Sequence, residues 1–446
     1  MAVSIIIIGA GASGLVAARG LGTAGYAVTV LEAGSEPGGR ILTMEPGTRS
    51  PTDSHPAPQA TAGDGFSSYV EGGAEFIHGE LPFSLQLAKE AGIVLHPIRG
   101  NMVRLQKGKS LGSAGGDEFM GKDWDQLMVK MEQLQEDLPI AVFMDKWFSG
   151  DRYSALRDSV RRFAEGYDLA DVHKVSTKAL YNEWAREGED EEYRLEGGYR
   201  RLIDFLVAEC QGQGCRFHFS TLVTGINWQQ GRVEASTATG QVFVADQLVV
   251  TASLGVLQAD PAILTFSPAI PAQMAAIKQL GYGSVIKILI EFKMSFWKGH
   301  KKDRETLFVI SDEPVPTWWT QSDDNARLLT GWLAGGNMRA FQQLDPDARI
   351  DVCLRSLATI FGLESEYLRQ QLSVIRILDW SLAPAVRGGY SYDTVDTSAA
   401  RRLLSQPVDR TIWFAGEALY EGIAPGTVEA AFTSGGEVAD KIIAQS

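Results

Sequence analysis

Residues 4–32, "SIIIIGAGASGLVAARGLGTAGYAVTVLE", restrict the fold more than any other stretch. A run of isoleucines ends at Gly9, Gly11 and Gly14 follow in GxGxxG spacing, and an alanine-rich segment comes next. β-Branched residues suit a buried strand, glycines allow a tight turn whose backbone can approach a phosphate, and alanine favours helix. A second apolar run, "AVTVLE", ends on Glu32, at the distance where an acid meets a ribose. Strand, glycine turn, helix, strand and acid in that order predict an α/β dinucleotide-binding unit. Gly9, Gly11, Ala12, Ser13 and Gly14 would face the pyrophosphate at the helix N-terminus, and Glu32 and Ala33 the adenosine.

Directly after this unit comes "AGSEPGGRI", where Gly38 and Gly39 allow another close backbone approach and Arg40 places a cation beside phosphate. A nucleotide unit followed at once by GGR resembles the flavin amine oxidase superfamily. That family includes monoamine oxidases, polyamine oxidases, flavin-type histone lysine demethylases and L-amino acid oxidases. Further segments resemble the same family in order: "YVEGGAEFIHG" (69–79), "STLVTGINW" (220–228), "DQLVVTASLGVLQ" (246–258), "GYGSVIKILIEFKMSFW" (281–297), "RGGYSYD" (387–393) and "IWFAGEALYEGIAPGTVEAAFTSG" (412–435). The resemblance implies FAD as cofactor. It assigns to FAD contact Gly73, Ala74, Glu75 and Phe76, Val223 at the adenine end, and Trp380. Gly416, Glu417, Gly426, Thr427 and Val428 complete the set. Monoamine oxidases attach FAD through a cysteine just before the first cage tyrosine; Gly389 stands there in this chain, so the FAD is expected to be non-covalent.

The order of these motifs divides the chain into a discontinuous, Rossmann-type FAD-binding domain (1–80, 195–285, 385–446) and a mixed α+β substrate domain (81–194, 286–384), the amine oxidase fold. Residues 81–194 are expected to be largely helical. The stretch 44–68, "MEPGTRSPTDSHPAPQATAGDGFSS", is rich in Pro, Ser, Thr and Gly and reads as a flexible surface insertion.

A net charge of −14 and a pI near 5.0 speak against nucleic acid as a partner and are compatible with a small cationic one. Cys210, Cys215 and Cys353 form no CxxC, and no histidine cluster has metal-ligand spacing, so neither a metal nor a disulfide framework is expected. The opening lacks a basic n-region, and no apolar run is long enough to span a bilayer, which leads to an expectation of a cytoplasmic protein without a membrane partner. A homo-oligomer is compatible with these features.

Within "VIKILIEF" (285–292), Lys287 poses a choice between an edge strand with a snorkelling lysine and a buried cation kept for chemistry. The family resemblance favours chemistry: the corresponding lysine holds a water beside flavin N5. By the same resemblance His78 lies in the substrate tunnel near the amine, with Glu75 and Phe76 beside it. Tyr390 is one wall of an aromatic cage whose second wall is replaced by Thr427. Phe76 stands where L-amino acid oxidases carry a carboxylate-binding arginine. The resemblance therefore implies oxidation of a polyamine or other alkylamine to an imine and then an aldehyde, with O2 reduced to H2O2. The alternatives are a primary monoamine oxidase, an L-amino acid oxidase, or a binding subunit with a structural flavin, which amines would not bleach.

Overall fold

The computed structural model describes residues 2–48, 58–100, 102–107, 109–113, 123–186, 191–298, 307–321 and 327–445. A five-stranded, wholly parallel sheet runs in the order Arg216–His218, Ala27–Leu31, Ser4–Ile8, Gln247–Val250, Ile412–Phe414. Its central strand is apolar on both faces because both faces are covered. Ile5 and Ile7 pack into a core with helices Ala12–Thr23 and Val428–Ala444, whereas Ile6 and Ile8 pack against the antiparallel sheet containing Val223–Gln229. Gly14 is required by contact: a Cβ there would lie 2.0 Å from the Gly9 carbonyl oxygen.

An eight-stranded sheet follows the order Pro58–Ala62, Leu372–Asp379, Val285–Phe292, Leu328–Ala334, Thr317–Trp319, Phe308–Ile310, Met102–Gln106, Lys109–Ser113. Val285–Phe292 is therefore interior, antiparallel to both neighbours and buried at every position. Ile286, Ile288, Ile290 and Phe292 pack with helix Pro346–Phe361 through Ile350, Leu354 and Leu357. That helix carries its own boundary signals: Asp345 Oδ1 accepts from the Ala348 N–H at 2.9 Å, Pro346 opens it, and Gly362 ends it at φ +67°. The alternate positions, Val285 and Leu289, pack with Leu42, Phe66 and Trp380. With both faces apolar, the period of two is hidden in the sequence.

Two expectations need correction. The segment 44–68 is not wholly a surface loop. Residues 49–57 lie outside the described residues, but Pro58–Ala62 adds a strand to the large sheet, and the buried Arg376 donates to the carbonyls of Gly63 and Asp64. Unpaired strand edges gain by being covered, which Pro/Ser/Thr composition does not reveal. Residues 81–194 do supply helices Trp124–Glu132, Ile140–Trp147, Ser154–Gly166 and Thr177–Trp184 around a common core, but Met102–Gln106 and Lys109–Ser113 join the large sheet.

Candidate active site

The nucleotide cradle forms where the parallel strands end. Gly11 caps helix Ala12–Thr23 without a side-chain hydrogen bond, and a Cβ at Gly11 would meet nothing within 4 Å. The helix thus presents unsatisfied N–H groups to open space, an anion site by geometry. Ser13 Oγ is buried with no hydrogen-bond partner, which suits a ligand oxygen. Glu32 is buried, its two oxygens accepting from Ala10 N–H at 2.6 Å and Gly34 N–H at 2.8 Å. Burial raises its carboxyl above the ordinary range, and those two backbone donors partly oppose the shift. Ala33 lies between Glu32 and Gly34, and the chain at 220–221 donates to the carbonyls of Gly34 and Glu32, bringing the following Val223 to this end of the cradle. Gly38 N–H bonds the Ala10 carbonyl, and Gly39 passes close to Gly11.

A cavity continues from there between Arg40, Val250–Leu254 and Ala415–Leu419. Arg40, the residue expected beside phosphate, donates through Nη1 to Glu417 at 2.7 Å and to the Gly389 carbonyl at 2.9 Å, while Ser391 Oγ donates to the other Glu417 oxygen at 2.6 Å. Glu417 is buried, so the arginine neutralises a carboxylate that would otherwise repel a pyrophosphate. Gly416 (φ +147°) leaves open space above its Cα, and Gly426 sits against the Tyr390 ring. The Thr427 hydroxyl donates to the Ala424 carbonyl and accepts from Ala430 N–H, capping the helix that begins at Val428.

The "GGAEF" segment is clamped from the large sheet. Trp380 Nε1 donates to the Gly72 carbonyl at 3.1 Å and Lys287 Nζ to the Gly73 carbonyl at 2.9 Å; Ala74 N–H bonds the Arg40 carbonyl. Lys287 is on no edge and does not snorkel. Its ammonium is paired with Glu75 Oε2 at 3.0 Å, both side chains being 2% exposed. Glu75 also accepts from Arg194 Nη2 at 2.9 Å and from Trp319 Nε1 at 3.0 Å. The sequence places Glu75 among the substrate contacts; the structure turns its carboxylate inward, onto two cations and an indole.

Around this hub lies a run of rings. Tyr390 stacks on Trp332 (6.4 Å between centroids), Trp332 meets Trp319 (6.1 Å), Trp319 meets Phe76 (5.9 Å), and Phe76 meets His78 edge-on (5.7 Å). Carboxylates stand at both ends. At the His78 end, Nδ1 lies 2.7 Å from Glu192. At the other end Tyr390, whose hydroxyl donates to the Tyr167 carbonyl, is held well above its ordinary pKa by burial and by the charges of Asp168 and Glu183. Burial pushes the Glu183 carboxyl up to about 7 against a hydrogen bond with Asp168, and Asp393 adds to the rise. Trp319, Trp332, Arg194, Glu192, Asp168 and Glu183 were not anticipated. The local signals of the first four, "TWWTQ", "GWLAG" and "EYRLEGG", read as ordinary strand sequence, and Glu183 lies in an ordinary helix. Among the described residues no group of three or more His, Cys, Asp or Glu could hold a metal, and no helix is long and apolar enough to cross a membrane.

The sequence profile described as "Flavin containing amine oxidoreductase" matches residues 12–443. The chain is 27% identical over 465 residues to lysine-specific histone demethylase 1 homolog 2 of Arabidopsis thaliana, covering 99% of this chain and 58% of that protein. It is 26% identical over 474 residues to lysine-specific histone demethylase 2 of Homo sapiens, covering 99% and 53%. The chain thus spans about half the length of these relatives, 58% and 53%. Polyamine oxidase 4 of Oryza sativa subsp. japonica is 24% identical over 469 residues, covering 98% and 88%. Among solved structures, a putrescine oxidase bound to putrescine superimposes with TM-score 0.80 at 18% identity, covering 100% of this chain and 99% of the other. Cyclohexylamine oxidase from Brevibacterium oxydans IH-35A gives 0.77 at 20%, with coverage of 100% and 99%. At these identities the structural likeness establishes the fold.

Proposed function

The chain belongs to the flavin-containing amine oxidoreductases, with FAD as cofactor, and on that premise we propose that it oxidises a C–N bond of a polyamine or other alkylamine, with O2 as acceptor and H2O2 as product. The observation that carries the substrate class is the ring wall from Tyr390 to His78, with carboxylates at each end. Aromatic faces attract an ammonium by about 0.5–2 kcal/mol each, and acids at both ends suit a chain bearing more than one positive charge. An amino acid substrate is disfavoured by the same geometry. The guanidinium over Phe76, Arg194, is committed to Glu75 and to the Thr320 carbonyl, so it is not placed to clamp a carboxylate.

The bound flavin supplies the two-electron acceptor for the amine. The chain's own residues supply the rest. Tyr390 and Trp332 would orient the alkylamine, and these partly buried rings would help to exclude water from the reacting carbon. His78 would take the ammonium proton, which frees the nitrogen lone pair. Lys287 has two N–H groups occupied by Gly73 and Glu75, leaving its third to hold a water for imine hydrolysis or flavin reoxidation.

The test is anaerobic mixing of the holoenzyme with putrescine, spermidine, spermine, butylamine, benzylamine and L-phenylalanine, followed by flavin absorbance, then peroxide measurement after admitting air. Polyamines or alkylamines should bleach the flavin at least about tenfold more efficiently than the amino acid, a difference of about 1.4 kcal/mol in transition-state binding. Faster bleaching by L-phenylalanine, or none by any amine, overturns the reading.

A further inference from the structure

Strand Glu192–Leu195 runs antiparallel to Ile77–His78, with Glu192 directly opposite His78. Opposed residues share a face of the sheet, and so do alternate residues of one strand. Glu192 and Arg194 therefore lie on the same face as His78: Glu192 meets His78 Nδ1 at 2.7 Å, and Arg194 meets Glu75 at 2.9 Å while lying 5.0 Å over Phe76. Burial works against the Glu192 charge, but the His78 hydrogen bond, with Arg194, outweighs it and holds the carboxyl below its ordinary range. An ionised carboxylate can only accept, so the atom it faces must carry the proton.

We propose that Glu192 is a positioning residue that fixes His78 as the acceptor of the substrate's ammonium proton, a step resting on the amine oxidation proposed above. The carboxylate holds the imidazole proton on Nδ1, and the lone pair then resides on Nε2, across the ring. In the transfer, an N–H bond of the substrate ammonium breaks and an Nε2–H bond forms. The substrate nitrogen keeps the electron pair, and the imidazolium is stabilised by Glu192. Among the described residues, the other charged groups near the ring are Arg194 on the paired strand and Glu183 from helix Thr177–Trp184. Arg194 is engaged by Glu75, so Glu192 is the group that sets the tautomer. A partly exposed ion pair with only a structural role would leave the kinetics unmoved by its loss.

The experiment labels the holoenzyme with 15N-histidine and identifies the His78 ring, among six histidines, by its absence in His78→Asn. In the neutral wild-type ring, Nδ1 should give the protonated nitrogen shift and Nε2 the unprotonated one. Glu192→Leu should move the proton toward Nε2 and lower kcat/KM for the amine about ten- to a hundredfold, with FAD content unchanged. Glu192→Asp should recover part of both. A wild-type ring protonated on Nε2, or a Glu192→Leu enzyme within twofold of wild type with its tautomer unchanged, overturns the proposal. The tautomer is read without turnover, so it is decided even if no amine reduces the flavin, an outcome that would overturn only the substrate reading.

Discussion

Glu75 should be the most consequential single side chain for stability in the site. Its carboxylate, 2% exposed, receives Lys287 at 3.0 Å, Arg194 at 2.9 Å and the Trp319 indole at 3.0 Å. Glu75→Leu removes the counter-charge from a lysine equally buried and leaves that ammonium only the Gly73 carbonyl. Breaking a buried ion pair in this sense costs about 3–5 kcal/mol. The stranded Trp319 N–H adds about 1 kcal/mol. Lys287→Met perturbs the hub from the other side and should cost no more than about 1.5 kcal/mol, because Glu75 keeps Arg194 and Trp319 and one desolvated charge is gone. Glu75→Leu/Lys287→Met should accordingly recover at least about 2 kcal/mol of the Glu75→Leu loss, the signature of coupled neighbours. Urea unfolding of the four proteins at one FAD concentration, followed by tryptophan fluorescence, measures the cycle. A Glu75→Leu cost under about 1 kcal/mol, or one of equal size with Lys or Met at 287, would refute the assignment of Glu75 as the counterion.

Lys287→Met should retain FAD, yet slow either anaerobic flavin reduction or reoxidation by oxygen about ten- to a thousandfold in stopped flow; both rates within twofold of wild type would remove Lys287 from the chemistry. Because Gly389 stands where a linking cysteine would be, heat or acid should release free FAD into the supernatant, and yellow colour left in the precipitate contradicts this. Burial pushes the Glu71 carboxyl up to about 8, against bonds from Tyr199 N–H and Thr43, so the folded protein holds a proton there that the unfolded chain releases near 4.5. Stability should then fall as pH rises between those values, by up to about 1.4 kcal/mol per pH unit. Glu71→Gln should flatten this slope in urea unfolding at pH 5.5, 7 and 8.5, and parallel curves would count against it. Thr427→Val should lower stability by about 1 kcal/mol through the lost helix cap, while changing KM for the amine less than twofold; a large KM effect would return Thr427 to the cage wall.

What could be read from the sequence is what depends on short-range backbone conformation. "IIIIGAGASG" specifies a strand, a turn and a helix start through residues that touch each other, and Glu32 follows at a distance set by the helix between. Family motifs along the chain then located FAD, and an ammonium inside "VIKILIEF" was conspicuous because buried charges are costly. The partners of that ammonium were not legible. Glu75 lies 212 residues from Lys287 and Trp319 lies 244 from Glu75, and no local pattern encodes which strand falls beside which. The rings of Trp319 and Trp332 reach one wall only through the register of the eight-stranded sheet, where Trp332 pairs with Lys287. The bonds of the Thr427 hydroxyl, which caps a helix end, were likewise not legible from the family motif. The sequence by itself determined the nucleotide unit, the family and the cation. Only the tertiary structure decided what neutralises that cation, which rings meet in one wall and which carboxylate holds His78, because each of these is a contact between distant segments set by register and packing.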